Sequence, residues 1–406
     1  MDLDRLQRRT VRVLVLTQLL GGLGLAAGVA VGALLARDLL GGDALAGLPS
    51  AVATAGGAFA AVPISRLMVR SGRRPGLTAG YATGGAGAAV VLASAQLRSF
   101  ALLLVGMVLF GVGNTSSLLA RYAAADLAPA GRRGRAVSTV LFATTFGAVA
   151  GPNRVDPAGA LARALSLPEL AGPFLLSVVA YTLAAACVTV LLRPDPLLVA
   201  RQAQPQGADA PDASAWTSVL RGPALTGLTA MVGAQFAMVA MMTMTPVHMR
   251  AHDHTLGVIG LVISVHIAGM FALSPLGGLL VDRLGSLATL RLGAGTLLAA
   301  GGAGALADPG SVAALTAALF LLGLGWSLCL VGGSTQLTAA VPLSMRAGAQ
   351  GNADLLVGLA GAAGGLGSGL VLALSGFAVL GLLTAAVAVA LLTSTGRTTA
   401  SSPSRT

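Results

Sequence analysis

The chain has 406 residues, of which 55% are hydrophobic and only 10% are charged. A soluble globular domain carries about 25% charged residues, so this composition excludes one and predicts a polytopic membrane protein. The formal net charge is +11, but the arginines lie in short segments between apolar stretches and not on one soluble face. We therefore expect a lipid bilayer around the chain and no nucleic acid partner.

Apolar stretches long enough to cross a bilayer, about 20 residues each, occur twelve times. The first is too long for the apolar part of a signal peptide, so we expect it to be retained. An even number of spans puts both termini on one side, and 20 of the 25 arginines then fall on that side. This predicts a multi-pass protein of the bacterial plasma membrane with both termini cytoplasmic. The predicted spans are 13–36, 47–69, 75–97, 101–123, 136–153, 171–193, 222–247, 255–281, 287–307, 311–335, 347–373 and 376–394.

The longest polar interruption, residues 193–221, lies between spans six and seven. It predicts a cytoplasmic linker between an N-terminal six-helix bundle, 1–192, and a C-terminal one, 222–394, with a polar, disordered tail at 395–406. The halves also resemble each other, because a shift of 213 positions brings Arg70 onto Arg283. Duplicated six-span halves are typical of secondary transporters.

The loop between spans eight and nine, Gly278-Leu-Leu-Val-Asp282-Arg283-Leu-Gly285, resembles the G-x-L-x-D-R-x-G motif of the major facilitator superfamily. The resemblance implies an all-α fold, with twelve transmembrane helices in two pseudo-symmetric bundles, that works by alternating access. We expect the glycines to allow a tight turn and close helix contact. Asp282 should accept hydrogen bonds from the start of a neighbouring helix, and Arg283 should supply the paired charge, so that the loop acts as a gate.

The corresponding loop of the first half keeps Arg70 and Gly72 but has Val69 in place of the acid. We therefore expect the second half to carry most of the gating.

Two further features bear on drug efflux. Gly147-Ala-Val-Ala-Gly151-Pro152 in span five resembles an element common in proton-coupled antiporters of the superfamily. A small-residue helix interface ended by proline explains it equally well. Span four has Met107 where these antiporters usually place an arginine, which weakens the efflux hypothesis.

Seven of the 11 methionines and all four histidines lie between Met231 and Met270. Met238 and Met242 share one helix face, and His266 and Met270 share a face of the next helix. Thioethers select Cu(I), although methionine is also a common gap filler in packing. The pattern resembles the CcoA-like copper-importing branch of the superfamily. That resemblance implies that these four residues bind copper as the transported substrate, with no prosthetic group.

The loop after span seven carries His248, Met249, His252 and His254. These residues would concentrate metal at an entrance, or they form a solvated polar hairpin. His266 differs from them, since an ionisable side chain in mid-span is a functional candidate by default.

Asp354 is the other ionisable residue within an apolar stretch. It is either a proton-coupling carboxylate or a helix-start acid paired with Arg346. Arg121 and Asp126, at the inner end of span four, are interpreted as gating or solvated boundary residues.

The leading hypothesis from the sequence is secondary-active copper uptake by a monomer, and the alternative is proton-coupled efflux of a small organic molecule. An enzyme is not expected, because the chain contains no nucleophile triad, P-loop or dinucleotide fingerprint.

Overall fold

The computed structural model describes residues 2–40, 48–150, 155–203, 215–308 and 310–400. Within these ranges the chain is helical and contains no strand, which agrees with the all-α prediction. A single π-helical turn, Ala268–Ala272, joins α11 to α12. The helices are α1 (Leu3–Leu40), α2 (Leu48–Ser71), α3 (Arg73–Gln96), α4 (Phe100–Ala123), α5 (Arg133–Ala150), α6 (Val155–Ala164), α7 (Gly172–Leu191), α8 (Pro196–Gln202), α9 (Ala215–Val219), α10 (Gly222–Ala251), α11 (Leu256–Ile267), α12 (Ser274–Leu284), α13 (Ser286–Leu306), α14 (Val312–Ala340), α15 (Leu343–Ser375) and α16 (Phe377–Ala400).

Among the described residues, nine helical segments are long and apolar enough to cross a membrane. The other three predicted spans correspond to α1, α5 and α13, which have 38, 18 and 21 residues. Each predicted span therefore has a helix at its place in the chain.

The helices depart from the predicted spans in three places. The arginine-bearing start of the chain is already helical, so α1 begins at Leu3. The predicted tail continues α16 as far as Ala400. The predicted linker contains α8, whose first turn is fixed by proline at its first position and by the capping carboxylate of Asp195.

Glycine allows helix backbones to touch in the interior. A Cβ atom added to Gly87 of α3 would lie 2.7 Å from the carbonyl carbon of Leu109 in α4. One added to Gly301 of α13 would lie 2.5 Å from the backbone nitrogen of Ala385 in α16. The abundance of glycine therefore reflects close helix packing of the kind found in bilayers.

The chain divides into two compact units. The first comprises Met1–Ala128, Ala143–Asp212 and Leu343–Gly358, and the second comprises Pro129–Phe142, Ala213–Pro342 and Leu359–Thr406. Helices α5 and α15 each contribute residues to both units. The division into six-helix bundles around 193–221 stays a prediction.

Candidate functional site

A buried ion pair joins α4 to α15 within the first unit. The Arg121 guanidinium donates to both carboxylate oxygens of Asp354, at 2.6 and 3.3 Å, and the two side chains are 1% and 5% exposed. The Tyr122 hydroxyl donates to the same carboxylate at 3.2 Å, and the Arg121 guanidinium lies 4.2 Å from the centre of the Tyr122 ring. Arg121 also donates to the backbone oxygen of Leu118 at 2.5 Å. The Asp354 charge thus has several donors in a site closed to solvent.

A second buried pair lies on α3 and the segment after α4. Arg73 donates from Nε and Nη2 to the two carboxylate oxygens of Asp126, at 2.7 and 3.1 Å. Both side chains are fully buried. Arg73 Nη2 also donates to Oε1 of Gln350 in α15 at 2.6 Å. Gln350 and Asp354 are four residues apart, so one face of α15 meets both arginines.

These two pairs differ from the sequence interpretation. Asp354 is paired with Arg121 and is not a helix-start acid paired with Arg346, because α15 begins at Leu343 and Asp354 lies about three turns inside it. Arg121 and Asp126 are buried, so neither is a solvated boundary residue. Sequence reasoning missed Arg73, which it counted only among the basic residues that set the orientation.

The predicted gating loop of the second unit contacts the start of α5. The Asp282 carboxylate accepts from the backbone nitrogens of Gly134 at 2.9 Å and Arg135 at 3.2 Å. Arg135 Nε donates to it as well, at 2.9 Å. The paired charge is therefore Arg135 and not Arg283, whose side chain is exposed. A carboxylate at a helix N-terminus is stabilised by the unpaired N–H groups and by the helix dipole.

The glycines of the gating loops have distinct roles. Gly278 packs on α5, where an added Cβ would lie 2.6 Å from the Gly134 oxygen. Gly285 and Gly72 have φ angles of +86° and +92°, which glycine adopts without strain. Arg70 is exposed at the end of α2. The loops are sharp turns of similar form, and their part in gating stays a prediction.

The four residues predicted to bind copper, called the copper ladder below, lie on α10 (Met238 and Met242), on α11 (His266) and in the π-helical turn (Met270). His266 is fully buried, and its Nδ1 lies 2.7 Å from the Leu319 oxygen of α14, while its Nε2 has no hydrogen-bond partner among the described residues. Met270 follows within the π-helical turn and is buried, with its backbone beside Gly323 of α14. The structure thus packs this part of the ladder on α14.

Helix α10 carries the other two members of the ladder. Met238 is 5% exposed and Met242 is half-buried. Within the described ranges no hydrogen bond joins either thioether to His266. Met231 and Met241 of the same helix fill space beside glycines, at Gly333 in α14 and Gly304 in α13.

At the predicted metal entrance, at the end of α10, aromatic rings pack against one another. The His248 ring stacks on Phe377 of α16 at 4.4 Å and lies 4.5 Å from the His252 ring. Met249 is fully buried, His252 is exposed and His254 is half-buried. Among the residues that the structure describes, no group of three or more His, Cys, Asp or Glu side chains could hold a metal ion.

Two predicted features of the first unit concern helix packing. Gly147 of α5 is buried, and an added Cβ would lie 2.6 Å from the Gly22 carbonyl carbon of α1, as a small-residue interface requires. Gly151 and Pro152 lie outside the described residues. Met107 is fully buried beside Gly32.

An aromatic and amide cluster that sequence reasoning did not single out lies in the second unit. Trp326 Nε1 of α14 donates to Oε1 of Gln235 in α10 at 2.7 Å. The Phe271 ring, in the π-helical turn, meets the Trp326 ring edge-on at 5.7 Å. Gln235 and Phe271 are half-buried. Trp326 itself is only 5% exposed, so the accessible part of the cluster consists of the Phe271 ring and the Gln235 side chain.

Comparisons with known proteins agree with this architecture. Residues 14–365 match the family model of the Major Facilitator Superfamily. Two proteins of Bacillus subtilis (strain 168), both named uncharacterized MFS-type transporters, are similar over most of their length. YdeG is 45% identical, covering 93% of this chain and 89% of its own, and YddS is 42% identical, covering 96% and 90%.

A more distant relative is the riboflavin transporter RfnT of Brucella anthropi, 28% identical over 86% of this chain and 85% of its own. Among solved structures, the human organic anion transporter MFSD10 superposes with a TM-score of 0.73 at 17% identity, covering 96% of this chain and 99% of its own. This likeness supports the predicted fold. The chain belongs to the major facilitator superfamily and is a multi-pass membrane transporter.

Proposed function

We propose that the protein is a proton-coupled secondary transporter of a small organic molecule, with Asp354 as the group that accepts the proton. The observation that carries this proposal is the buried pair between Arg121 and Asp354. Removing two charges from water is unfavourable, and apolar replacements of such pairs are often neutral or stabilising. An ionisable pair retained inside membrane-spanning helices is therefore a functional candidate.

The geometry connects protonation to helix contact. A proton that reaches the Asp354 carboxylate neutralises it, and Arg121 loses the anion to which it donates two hydrogen bonds. The tie between α4 and α15 then weakens. Loss of the proton restores the charge and the tie. The proton and Arg121 thus compete for one carboxylate, and the two outcomes favour different helix arrangements.

The substrate class is proposed from the aromatic cluster and from one relative. The half-buried Phe271 ring presents part of a flat apolar surface against the buried Trp326, and Gln235 adds a polar group that can recognise a heteroatom. A riboflavin transporter is among the relatives of this chain. Riboflavin has a planar aromatic ring system and many hydrogen-bonding groups, which makes it the first substrate to test.

The test uses the purified protein in liposomes with an imposed pH gradient, and riboflavin is followed by its fluorescence. We expect Asp354→Asn to abolish accumulation driven by the gradient while exchange of riboflavin across the membrane continues. Asp308→Asn is the matched control, because the carboxylate of this exposed acid bonds, within the described residues, only to the nearby Gly310 nitrogen. Parental accumulation by Asp354→Asn would reject the coupling role, and no riboflavin movement by the parent would reject the flavin substrate.

Copper uptake is a second candidate, favoured by His266. A histidine that binds metal commonly uses one ring nitrogen for the ion and the other for a carbonyl, and the Leu319 oxygen lies beside Nδ1 while Nε2 is left without a partner in the described part of the chain. Met238→Leu with Met242→Leu keeps volume and apolarity but removes both thioethers. If copper is the substrate, cellular copper accumulation is lost in this double variant. Unchanged accumulation would reject it.

A further inference from the structure

Among the differences between the two gating loops of the chain, one concerns the acid. In the second unit, the Asp282 carboxylate connects the loop between α12 and α13 to the backbone at the start of α5. The loop between α2 and α3 has Val69 at the equivalent place and cannot make this connection through a side-chain acid. We propose that Arg201, on linker helix α8, replaces the missing acid and ties this loop to the start of α15.

The single guanidinium of Arg201 contacts both the α2–α3 loop and the start of α15. Its Nη1 donates to the Val69 oxygen at 2.9 Å, and its Nη2 donates to the Ser344 oxygen at 3.3 Å. Val69 lies in the last turn of α2, where carbonyl groups lack partners within the helix and a cation is favoured. Ser344 is the second residue of α15. Like the Asp282 connection, this tie joins a loop to the start of a helix. It differs in chemistry, because here a cation donates to two backbone carbonyls.

The N-terminal end of linker helix α8 is also held at the α2–α3 loop. The Asp195 carboxylate caps α8 by accepting from the Leu197 and Leu198 nitrogens, at 3.0 and 3.3 Å. It also accepts from the Arg74 nitrogen at 2.7 Å, at the start of α3. Gly72 makes this approach possible, because an added Cβ would lie 2.5 Å from the carboxylate. With Asp195 and Arg201 about two turns apart, both ends of α8 are docked.

The linker is therefore a positioning element of the transport cycle and not only a tether. Any rearrangement that separates the α2–α3 loop from the start of α15 must break at least one of the two Arg201 hydrogen bonds. This inference depends on the family membership and on these contacts, and it is independent of the substrate and of the role of Asp354.

The experiment measures amide hydrogen exchange of the full-length protein in phospholipid nanodiscs. We expect Arg201→Gln to raise the exchange rate roughly tenfold in residues 66–74 and 343–350, since two charge-assisted hydrogen bonds are lost. Residues 133–140 and 276–285 should exchange at the parental rate. Arg201→Lys keeps the charge but places its donors on one nitrogen in place of the forked guanidinium, and should give an intermediate rate. Arg193→Gln is the matched control, because in the described part of the chain that side chain bonds only to the Thr189 oxygen of the preceding helix.

Rescue separates the proposed tie from a general loss of stability. Adding Val69→Asp to Arg201→Gln places an acid where the second unit has Asp282, and it should slow exchange at 343–350 toward the parental rate. Parental exchange in Arg201→Gln at both segments would overturn the proposal. So would faster exchange throughout the first unit that Val69→Asp does not reverse. If Arg201→Gln does not fold, the same comparison is made with Arg201→Lys.

Discussion

The buried pair of Arg121 and Asp354 allows a quantitative test of its energetics. Replacing Asp354 by leucine leaves the Arg121 charge in a site that is 1% exposed and removes the acceptor of three hydrogen bonds. Leaving one member of a buried pair without its partner typically costs about 3–5 kcal/mol. We expect a loss of this size in the free energy of unfolding.

The double variant is the informative comparison. Arg121→Leu with Asp354→Leu removes both charges, and similar replacements elsewhere range from neutral to stabilising. The double variant should therefore recover most of the stability lost by Asp354→Leu. Both are measured by unfolding in mixed detergent micelles, with the parent and the single variant Arg121→Leu completing the cycle.

An exposed pair of the same chain is the control. Arg98 and Asp38 are 3.7 Å apart, with side chains 66% and 50% exposed, so breaking this pair should change stability by less than about 1 kcal/mol. A double variant no more stable than Asp354→Leu would refute the reasoning, because the buried Arg121 charge would then not account for most of the lost stability.

Three other outcomes are expected. Asp282→Asn, which loses part of its capping at the start of α5, should slow transport more than Val69→Asn at matched expression; equal rates for both would contradict the gating role. Gly72→Ala should destabilise the protein by about 1–3 kcal/mol, because its backbone conformation is nearly restricted to glycine, whereas Gly131→Ala, with open space around it, should be close to neutral in thermal unfolding. Reporter fusions at residues 156 and 399 should report opposite sides of the membrane, and a common side would disprove the topology predicted from the arginines.

Much of the helix arrangement was predictable because a bilayer imposes a length on every apolar segment. The twelve spans follow from that length alone. Helix α8 was not predicted, because it is only seven residues long and depends on a cap. The π-helical turn also escaped prediction, since nothing in the composition of Ala268–Ala272 separates it from an α-helix.

The candidate site was harder to predict than the fold. Asp354 was visible in the sequence because it interrupts an apolar stretch, but its partner Arg121 is 233 positions away. Arg73 belongs to a basic loop segment whose other members are partly or fully exposed, so only the three-dimensional packing distinguishes it. The methionines were difficult to interpret for a different reason. They cluster in the sequence, but the sequence does not reveal which thioethers fill space beside glycine.

The π-helical turn also determines how α12 is presented to its neighbour. Such a turn contains one residue more than the α-helix that would replace it. Deleting one residue from Ala268–Ala272 would therefore leave a continuous α-helix in which α12 is rotated by about 100° relative to α11. Gly278 and Ser274, which now contact Ser138 of α5, would then face elsewhere. The number of residues in this stretch therefore determines which face of α12 meets α5, whatever the side chains are. Relatives that differ by one residue here should pair α12 with α5 through different side chains.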